Sequence, residues 1–287
     1  MTPSESIRAI GSLLRICDAD KTHLTIILQL RLPRVLVSLL AGSALGLAGL
    51  LSQTLFRNDL ADPYIAGIGS GAVLGVNLVL LFGVTLGVLG FSALSVAAFL
   101  GAWASCLIIW AIAGRIGSSS INLVLGGVAL SFVFSGVNFL IVMVGRDVLQ
   151  RSTFWSWNGL ASSSWSGVVI LSVFLGLSLL LLPVFSRSMN AYLLGDEQST
   201  YLGVNPKKLR TVLFLFTSAL TGVAIATSGL LGFVGLITPH LARRFVGGES
   251  KTLIITTPLL GAIILGIADF IGRIILPSQE ISASHNY

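Results

Sequence analysis

Charged side chains are scarce in this chain of 287 residues, which has 17 basic and 11 acidic residues, or 10% in total, and is 54% hydrophobic. A soluble domain usually has about 25% charged residues, and it could not bury this much apolar surface. The composition therefore excludes a cytosolic enzyme, a disordered chain and a nucleic-acid-binding domain. With only 2 cysteines, the chain is also not a disulfide-stabilised secreted domain.

The sequence also lacks the motifs of common catalytic and nucleotide-binding sites. None of its lysines follows a glycine, so it contains no GxxxxGK[ST] phosphate-binding loop. The histidines, His23, His240 and His285, do not lie at metal-ligand spacing from Cys, Asp or Glu. We therefore expect no catalytic residue, no metal site and no cofactor.

Long uncharged segments remain, and they predict membrane-spanning helices. A helix needs about 20 apolar residues to cross a bilayer, so the long uncharged segment 63–114 must turn back once, which we expect between Gly83 and Gly90. The pattern predicts an all-α transmembrane bundle of about eight helices, and it lacks the alternation of a β-barrel. The predicted spans are 35–55, 64–82, 88–113, 121–144, 167–186, 209–228, a short one at 231–246, and 252–275.

Glycines recur at close spacing near the start of the bundle, at Gly42, Gly46 and Gly49 and again at Gly67, Gly69, Gly71 and Gly75. Small residues let helix backbones approach closely in lipid, where the hydrophobic effect does not drive helices together. We interpret these glycines as packing positions. A role in helix motion is the alternative.

A few charged residues border the predicted spans. Asp269 and Arg273 are spaced i, i+4, so each offsets part of the cost of placing the other in a membrane helix, which is about 2.5–3.5 kcal/mol per group. They form either a self-satisfied pair at the membrane surface or a docking site for a charged partner. Arg31 and Arg34 flank Pro33 before the first span and are either interfacial anchors or part of the same docking site.

The longest polar interruption is residues 187–210. Apolar residues occur among the polar ones here, and Gly195 and Gly203 divide the segment into short pieces. This pattern predicts two brief surface helices joined by a turn. A surface loop that keeps an apolar face is suited to dock into a groove on another protein.

Four stretches resemble conserved blocks of one family of membrane proteins. They are RLPRVLVSLLAGSALGLAGLLSQTLFRNDLADP at 31–63, LLGDEQSTYLGVNPKKLR at 193–210, GLLGFVGLITPHLARRFVG at 229–247, and AD at 268–269 with Arg273. In this order the blocks resemble the FecCD-type permeases, the membrane subunits of ABC importers for iron–siderophores, haem and cobalamin. The chain departs from the family pattern at Asp59, where proline is usual.

The resemblance implies a multi-pass permease of the prokaryotic plasma (inner) membrane that forms the path for an iron(III)-siderophore-like chelate. The implied partners are an ABC ATPase subunit, an extracytoplasmic substrate-binding protein, and a second permease subunit in a homodimer or pseudo-dimer. The ATPase-coupling residues are then Leu194, Gly195, Asp196, Glu197, Leu202, Gly203 and Val204, and we name residues 187–210, which contain them, the coupling segment. The residues that dock the binding protein are Arg31, Arg34 and Arg273. An ion-coupled secondary transporter is the alternative function.

The resemblance also implies an organisation and a membrane orientation. We expect a polar or interfacial leader at 1–34, a permease domain at 35–276 and a polar tail at 277–287. The family has ten spans, so the chain corresponds to its helices two to nine. The cytoplasmic loops are then 57–63, 114–120, 187–210 and 243–251. These loops hold nine basic residues against five on the other side, leader excluded, a weak bias in the expected direction.

Overall fold

The computed structural model describes residues 21–85, 92–116, 120–145, 147–157 and 159–275. Within these ranges the regular elements are all helical, as predicted. The helices are α1 (Lys21–Ile26), α2 (Leu32–Phe56), α3 (Ile68–Phe82), α4 (Ala93–Ile116), α5 (Ser120–Val144), α6 (Val148–Trp157), α7 (Trp165–Leu181), α8 (Ser186–Leu193), α9 (Asp196–Tyr201), α10 (Pro206–Ser228), α11 (Val234–Val246) and α12 (Ser250–Ile275).

Six helical segments of the described residues are long and apolar enough to cross a membrane. They contain α2, α4, α5, α7, α10 and α12, and each matches a predicted span. The other two predicted spans correspond to α3, with 15 residues, and α11, with 13 residues. At 1.5 Å per residue these helices are about 20 Å long and do not reach across about 30 Å of hydrocarbon alone. The bundle is thus confirmed as all-α and polytopic.

The first span begins earlier than predicted. The helix α1 continues through a π-helical turn, Ile27–Arg31, into α2, where the Leu32 N–H donates to the Ile27 carbonyl oxygen. Pro33 explains this wide turn, because a proline ring clashes with the carbonyl four residues before it in a regular α-helix. Residues 21–31 of the expected leader therefore form one continuous helical segment with α2.

Some expectations lie outside the described residues. They are the rest of the leader at 1–20, the polar tail at 277–287, part of the loop at 114–120, and the end of the predicted turn at Gly90. The start of that turn is described, because Gly83 ends α3 with a positive φ of 64°.

The helix α2 lies at the centre of the protein and packs against α7, α10, α11 and α12. Every residue from Ala41 to Leu55 is buried. Its backbone touches that of α12 where Gly42 faces Gly261, since a Cβ added to either glycine would overlap the carbonyl oxygen of the other. Gly49 lies against the backbone of Gly235 in α11, since a Cβ added to Gly49 would overlap the Gly235 carbonyl oxygen. Gly42 and Gly49 therefore occupy packing positions, as predicted.

The two ends of the bundle carry separate charge clusters. Arg57, Asp59, Asp196, Arg210 and Arg243 meet at the end that holds the predicted cytoplasmic loops. At the opposite end, Arg34 and Arg273 meet Asp269. The predicted assignment of loops to the two sides agrees with this arrangement.

The contact between Gly42 and Gly261 leads to a stability prediction. We expect Gly42→Val to lower the thermal unfolding midpoint in detergent, because overpacking at a tight contact typically costs about 1–3 kcal/mol. Gly176→Val is the matched control, since Gly176 of α7 has no atom within 4 Å of an added Cβ. Equal midpoints for the two variants would show that the helix contact is looser than described.

Candidate functional site

The coupling segment folds into the two short helices that its sequence predicts. The helices α8 and α9 are joined at Leu194 and Gly195, and Gly195 has φ +119° and ψ 162°. A side chain with a Cβ rarely adopts this conformation, so glycine permits the sharp turn. At the other end of α9, Gly203 has φ +79°, and the Asn205 side chain then caps α10 by accepting from the Lys208 N–H at 3.1 Å.

Apolar side chains of the coupling segment project into solvent at this end of the protein. Leu194 is 59% exposed, Tyr201 83% and Leu202 62%. Among the other predicted coupling residues, Asp196, Glu197 and Gly203 are also exposed, whereas Val204 packs against the core. The segment therefore presents an apolar surface edged by acidic groups. Several such side chains side by side are typical of a protein-binding surface.

The other face of the coupling segment is fixed to the bundle by what we call the α2 junction, formed by Arg57, Tyr192, Asp196 and Arg210. Arg57 donates from Nη2 to Asp196 Oδ1 at 2.7 Å and from Nε to the Tyr192 carbonyl oxygen at 2.8 Å. Arg210 at the start of α10 donates to the second carboxylate oxygen, Asp196 Oδ2. One carboxylate thus joins three parts of the chain.

Tyr192 completes the α2 junction from the buried side of α8. Its hydroxyl donates to the Leu55 carbonyl oxygen at 3.0 Å and accepts from Arg210 Nε at 2.9 Å. The guanidinium carbon of Arg57 lies 3.9 Å from the centre of the Tyr192 ring, within the range of a cation–π contact. The tyrosine is fully buried and ties α8 to the last turn of α2.

The α2 junction keeps Asp196 ionised. Burial by itself raises the pKa of this carboxyl group, but hydrogen bonds and charges from Arg210 and Arg57 outweigh burial, so the pKa is lowered overall. The pairing therefore persists at neutral pH and is lost only when the pH falls through the lowered pKa of Asp196.

A second ionic contact lies beside the α2 junction. Arg243 of α11 pairs with Asp59 at 3.1 Å and donates to the side-chain oxygen of Gln53 at 2.5 Å. The amide nitrogen of Gln53 donates in turn to the Leu236 carbonyl oxygen at 3.2 Å. Asp59, the residue at which the chain departs from the family pattern, thus has a partner on α11.

The charge cluster at the opposite end of the bundle, formed by Arg34, Asp269 and Arg273, contains two of the three predicted docking residues. We name it the outer cluster after the side of the membrane predicted for it. Asp269 pairs with Arg273, one helical turn away, at 2.9 Å, and with Arg34 of α2 at 2.9 Å. Its side chain is only 3% exposed, whereas both arginines are partly exposed. The predicted i, i+4 pair is present, and Arg34 joins it. Arg31 lies at the end of the π-helical turn, one turn of helix before Arg34.

Sequence reasoning predicted the two short helices of the coupling segment but missed Arg57, Tyr192 and Arg210 as the residues that anchor it to the bundle. These contacts join residues far apart in the chain, and Arg57 and Asp196 are 139 positions apart. The signal available in the sequence was that Arg57, Asp196 and Arg210 all fall in loops assigned to the same side of the membrane.

Comparison with known proteins shows to which family this architecture belongs. The family model described as the FecCD transport family matches residues 2–285. A permease protein of an iron chelatin transport system from Helicobacter pylori is 36% identical over 258 residues, covering 88% of this chain and 76% of the relative. The Yersinia pestis hemin transport permease HmuU is 34% identical, covering 88% and 77%. The Bacillus subtilis Fe(3+)-citrate import permease YfmE is 35% identical, covering 96% and 84%.

The fold also matches that of a solved structure. A solved structure of a metal-chelate type ABC transporter in an inward-facing conformation superposes with a TM-score of 0.83 at 29% identity. The superposition covers 96% of this chain and 89% of that one. The helical architecture, the order of the four motif blocks and the family match together show that this chain belongs to the FecCD transport family and is an ABC permease subunit, a multi-pass protein of the bacterial inner membrane.

Proposed function

We propose that this permease carries an iron(III) chelate into the cell, and that ATP hydrolysed by a separate subunit drives the transport through the coupling segment. The observation that carries the proposal is the form of that segment, which is fixed to the bundle on one face and apolar and exposed on the other. The substrate class is supported by relatives named for iron chelatin, hemin and ferric citrate.

The coupling segment suits a mechanical contact. Leu194 lies just before the short helix α9 and Leu202 just after it, and both are largely exposed. Exposed apolar side chains beside a short helix can bind by entering a groove of a partner protein. We assign the ATPase groove as the site that receives them, with Gly195 setting the angle between α8 and α9. Glu197 adds negative charge beside this contact, whereas the Asp196 carboxylate is paired with Arg57 and Arg210.

The outer cluster suits the binding protein. Asp269 holds Arg34 and Arg273 side by side, and their partly exposed guanidinium groups leave net positive charge at the outer end of the bundle. With Arg31 this surface favours a partner that presents carboxylates. Such charges at an interface act mainly on the rate of association and its salt dependence.

The alternative, an ion-coupled secondary transporter, has little support in the described residues. Ion coupling requires ionisable groups near the bilayer midplane. Asp269 lies in the last two turns of α12 and is occupied by two arginines. A second permease subunit, needed to enclose a path, is instead supported by the ABC transporter architecture of the structural relative.

The coupling proposal predicts the effect of two substitutions. Gly195→Pro should abolish transport, because proline fixes φ near −65° and cannot adopt +119°. Leu202→Asp should also abolish transport by placing a charge in the contact with the ATPase. Both variants should still insert into the membrane. The readout is uptake of radiolabelled ferric citrate and ATPase activity in reconstituted vesicles that contain the ATPase and binding protein.

Leu60→Asp is the matched control for Leu202→Asp, because Leu60 is 76% exposed at the same end of the bundle but lies outside the coupling segment. It should leave uptake unchanged. If Leu202→Asp transports as well as this control, the coupling segment is not the surface that the ATPase uses.

The docking proposal predicts slower binding when a single outer arginine loses its charge. Arg34→Gln should lower the association rate of the binding protein at low ionic strength, because long-range attraction speeds association. Asp269 keeps Arg273 as a partner in this variant, so no buried charge is left unpaired. Surface plasmon resonance at two salt concentrations measures the effect.

Arg151→Gln supplies the control, since Arg151 is an exposed arginine of α6 in the region assigned to the same side of the membrane. It changes the net charge equally without touching the outer cluster. Equal association rates for the Arg34 and Arg151 variants would contradict the docking role.

A further inference from the structure

Arg57 has an unusual backbone conformation at the cytoplasmic end of α2. Its φ of 50° and ψ of 41° are left-handed, a conformation that costs a residue with a Cβ about 1–2 kcal/mol. The Arg57 N–H donates to the Thr54 carbonyl oxygen and the Asn58 N–H to that of Gln53. This is the Schellman arrangement that ends many helices, and glycine is the usual residue at the position that Arg57 occupies.

The Arg57 side chain accounts for an arginine at this position. Within the α2 junction its guanidinium group bonds both to the Tyr192 carbonyl oxygen and to the Asp196 carboxylate, and it stacks on the Tyr192 ring. All three contacts are with the coupling segment. Arg57 therefore connects the backbone of α2 directly to the surface that we assign to the ATPase.

The same turn of α2 also leads to α11. Gln53 accepts the Asn58 N–H through its carbonyl oxygen, and its side chain is bonded to Arg243 and to the Leu236 carbonyl oxygen. Asp59, two residues after Arg57, pairs with Arg243 as well. The residues from Gln53 to Asp59 thus join the coupling segment on one side to α11 on the other.

We infer that Arg57 is a positioning residue for transport, which transmits displacement of the coupling segment to α2 and, through Gln53, Asp59 and Arg243, to α11. The inference rests on the proposed role of the coupling segment. Because α2 is buried along most of its length, a shift of its cytoplasmic turn reaches the helices packed around it. The Tyr192 hydroxyl forms a second link between the coupling segment and Leu55 of α2. Unlike Arg57, Tyr192 has no charge with which to attract the Asp196 carboxylate.

The test separates transmission of movement from folding and from assembly. Arg57→Gly removes the guanidinium group and suits the left-handed backbone, so the variant should be as thermally stable as the parent or lose only a little. Arg57→Lys retains the charge but not the planar stacking or the paired donors. Lys251→Gln removes an exposed basic residue at the same end and serves as the control.

The measurement is the amount of radiolabelled ferric citrate imported per ATP hydrolysed, in vesicles that contain the permease, its ATPase and its binding protein. We expect Arg57→Gly to retain the ATPase on purification and to hydrolyse ATP. Its uptake per ATP should fall about tenfold or more, the order expected for losing charged hydrogen bonds. Arg57→Lys should fall between this variant and the parent, and Lys251→Gln should match the parent.

Unchanged uptake per ATP in Arg57→Gly would overturn the inference. Loss of the ATPase from purified Arg57→Gly would also overturn it, because Arg57 would then hold the ATPase in place instead of transmitting its movement. These results differ from failure of the proposed function, in which the parent complex itself shows no ATP-driven uptake and both proposals fall.

Discussion

Close backbone contact around the buried helix α2 is the constraint on which the rest of this structure depends. In lipid no hydrophobic effect drives helices together, so association relies on packing and hydrogen bonds. Gly42 and Gly261 let α2 and α12 touch, and Gly49 and Gly235 do the same for α2 and α11. Because α2 is held this tightly, its two ends are fixed relative to the surrounding helices, and charged groups at those ends can be placed with accuracy.

Each end of α2 carries a carboxylate shared by two arginines. At the start of α2, Asp269 pairs with Arg34 of α2 and with Arg273 of its own helix, and at the end of α2, Asp196 pairs with Arg57 and Arg210. Each cluster retains net positive charge, and each borders a surface that we assign to a partner. The carboxylates orient the arginines, while the exposed groups around them remain available to the binding protein or the ATPase. The same central helix thus connects the two partner surfaces.

The sequence predicted the helices well because uncharged length is the physical requirement for crossing a bilayer. It also predicted the two short helices of the coupling segment, since Gly195 and Gly203 interrupt an amphipathic pattern there. It did not predict α6, which lies in a polar stretch between two spans, nor the π-helical turn that carries the first helix back to Lys21. The charge clusters were missed because their members are distant in sequence. Spacing revealed Asp269 with Arg273, but not that Arg34 would reach the same carboxylate.

The central claim is that ATP hydrolysis supplies the energy for transport, and this claim can be tested by a direct measurement. Vesicles containing the permease, its ATPase and its binding protein can be loaded with ATP and supplied with radiolabelled ferric citrate, with or without ionophores that collapse proton and sodium gradients. The account predicts that uptake requires ATP on the side of the membrane that the coupling segment faces. It also predicts that uptake persists when both gradients are abolished. Uptake that proceeds without ATP and stops when an ion gradient is collapsed would contradict it.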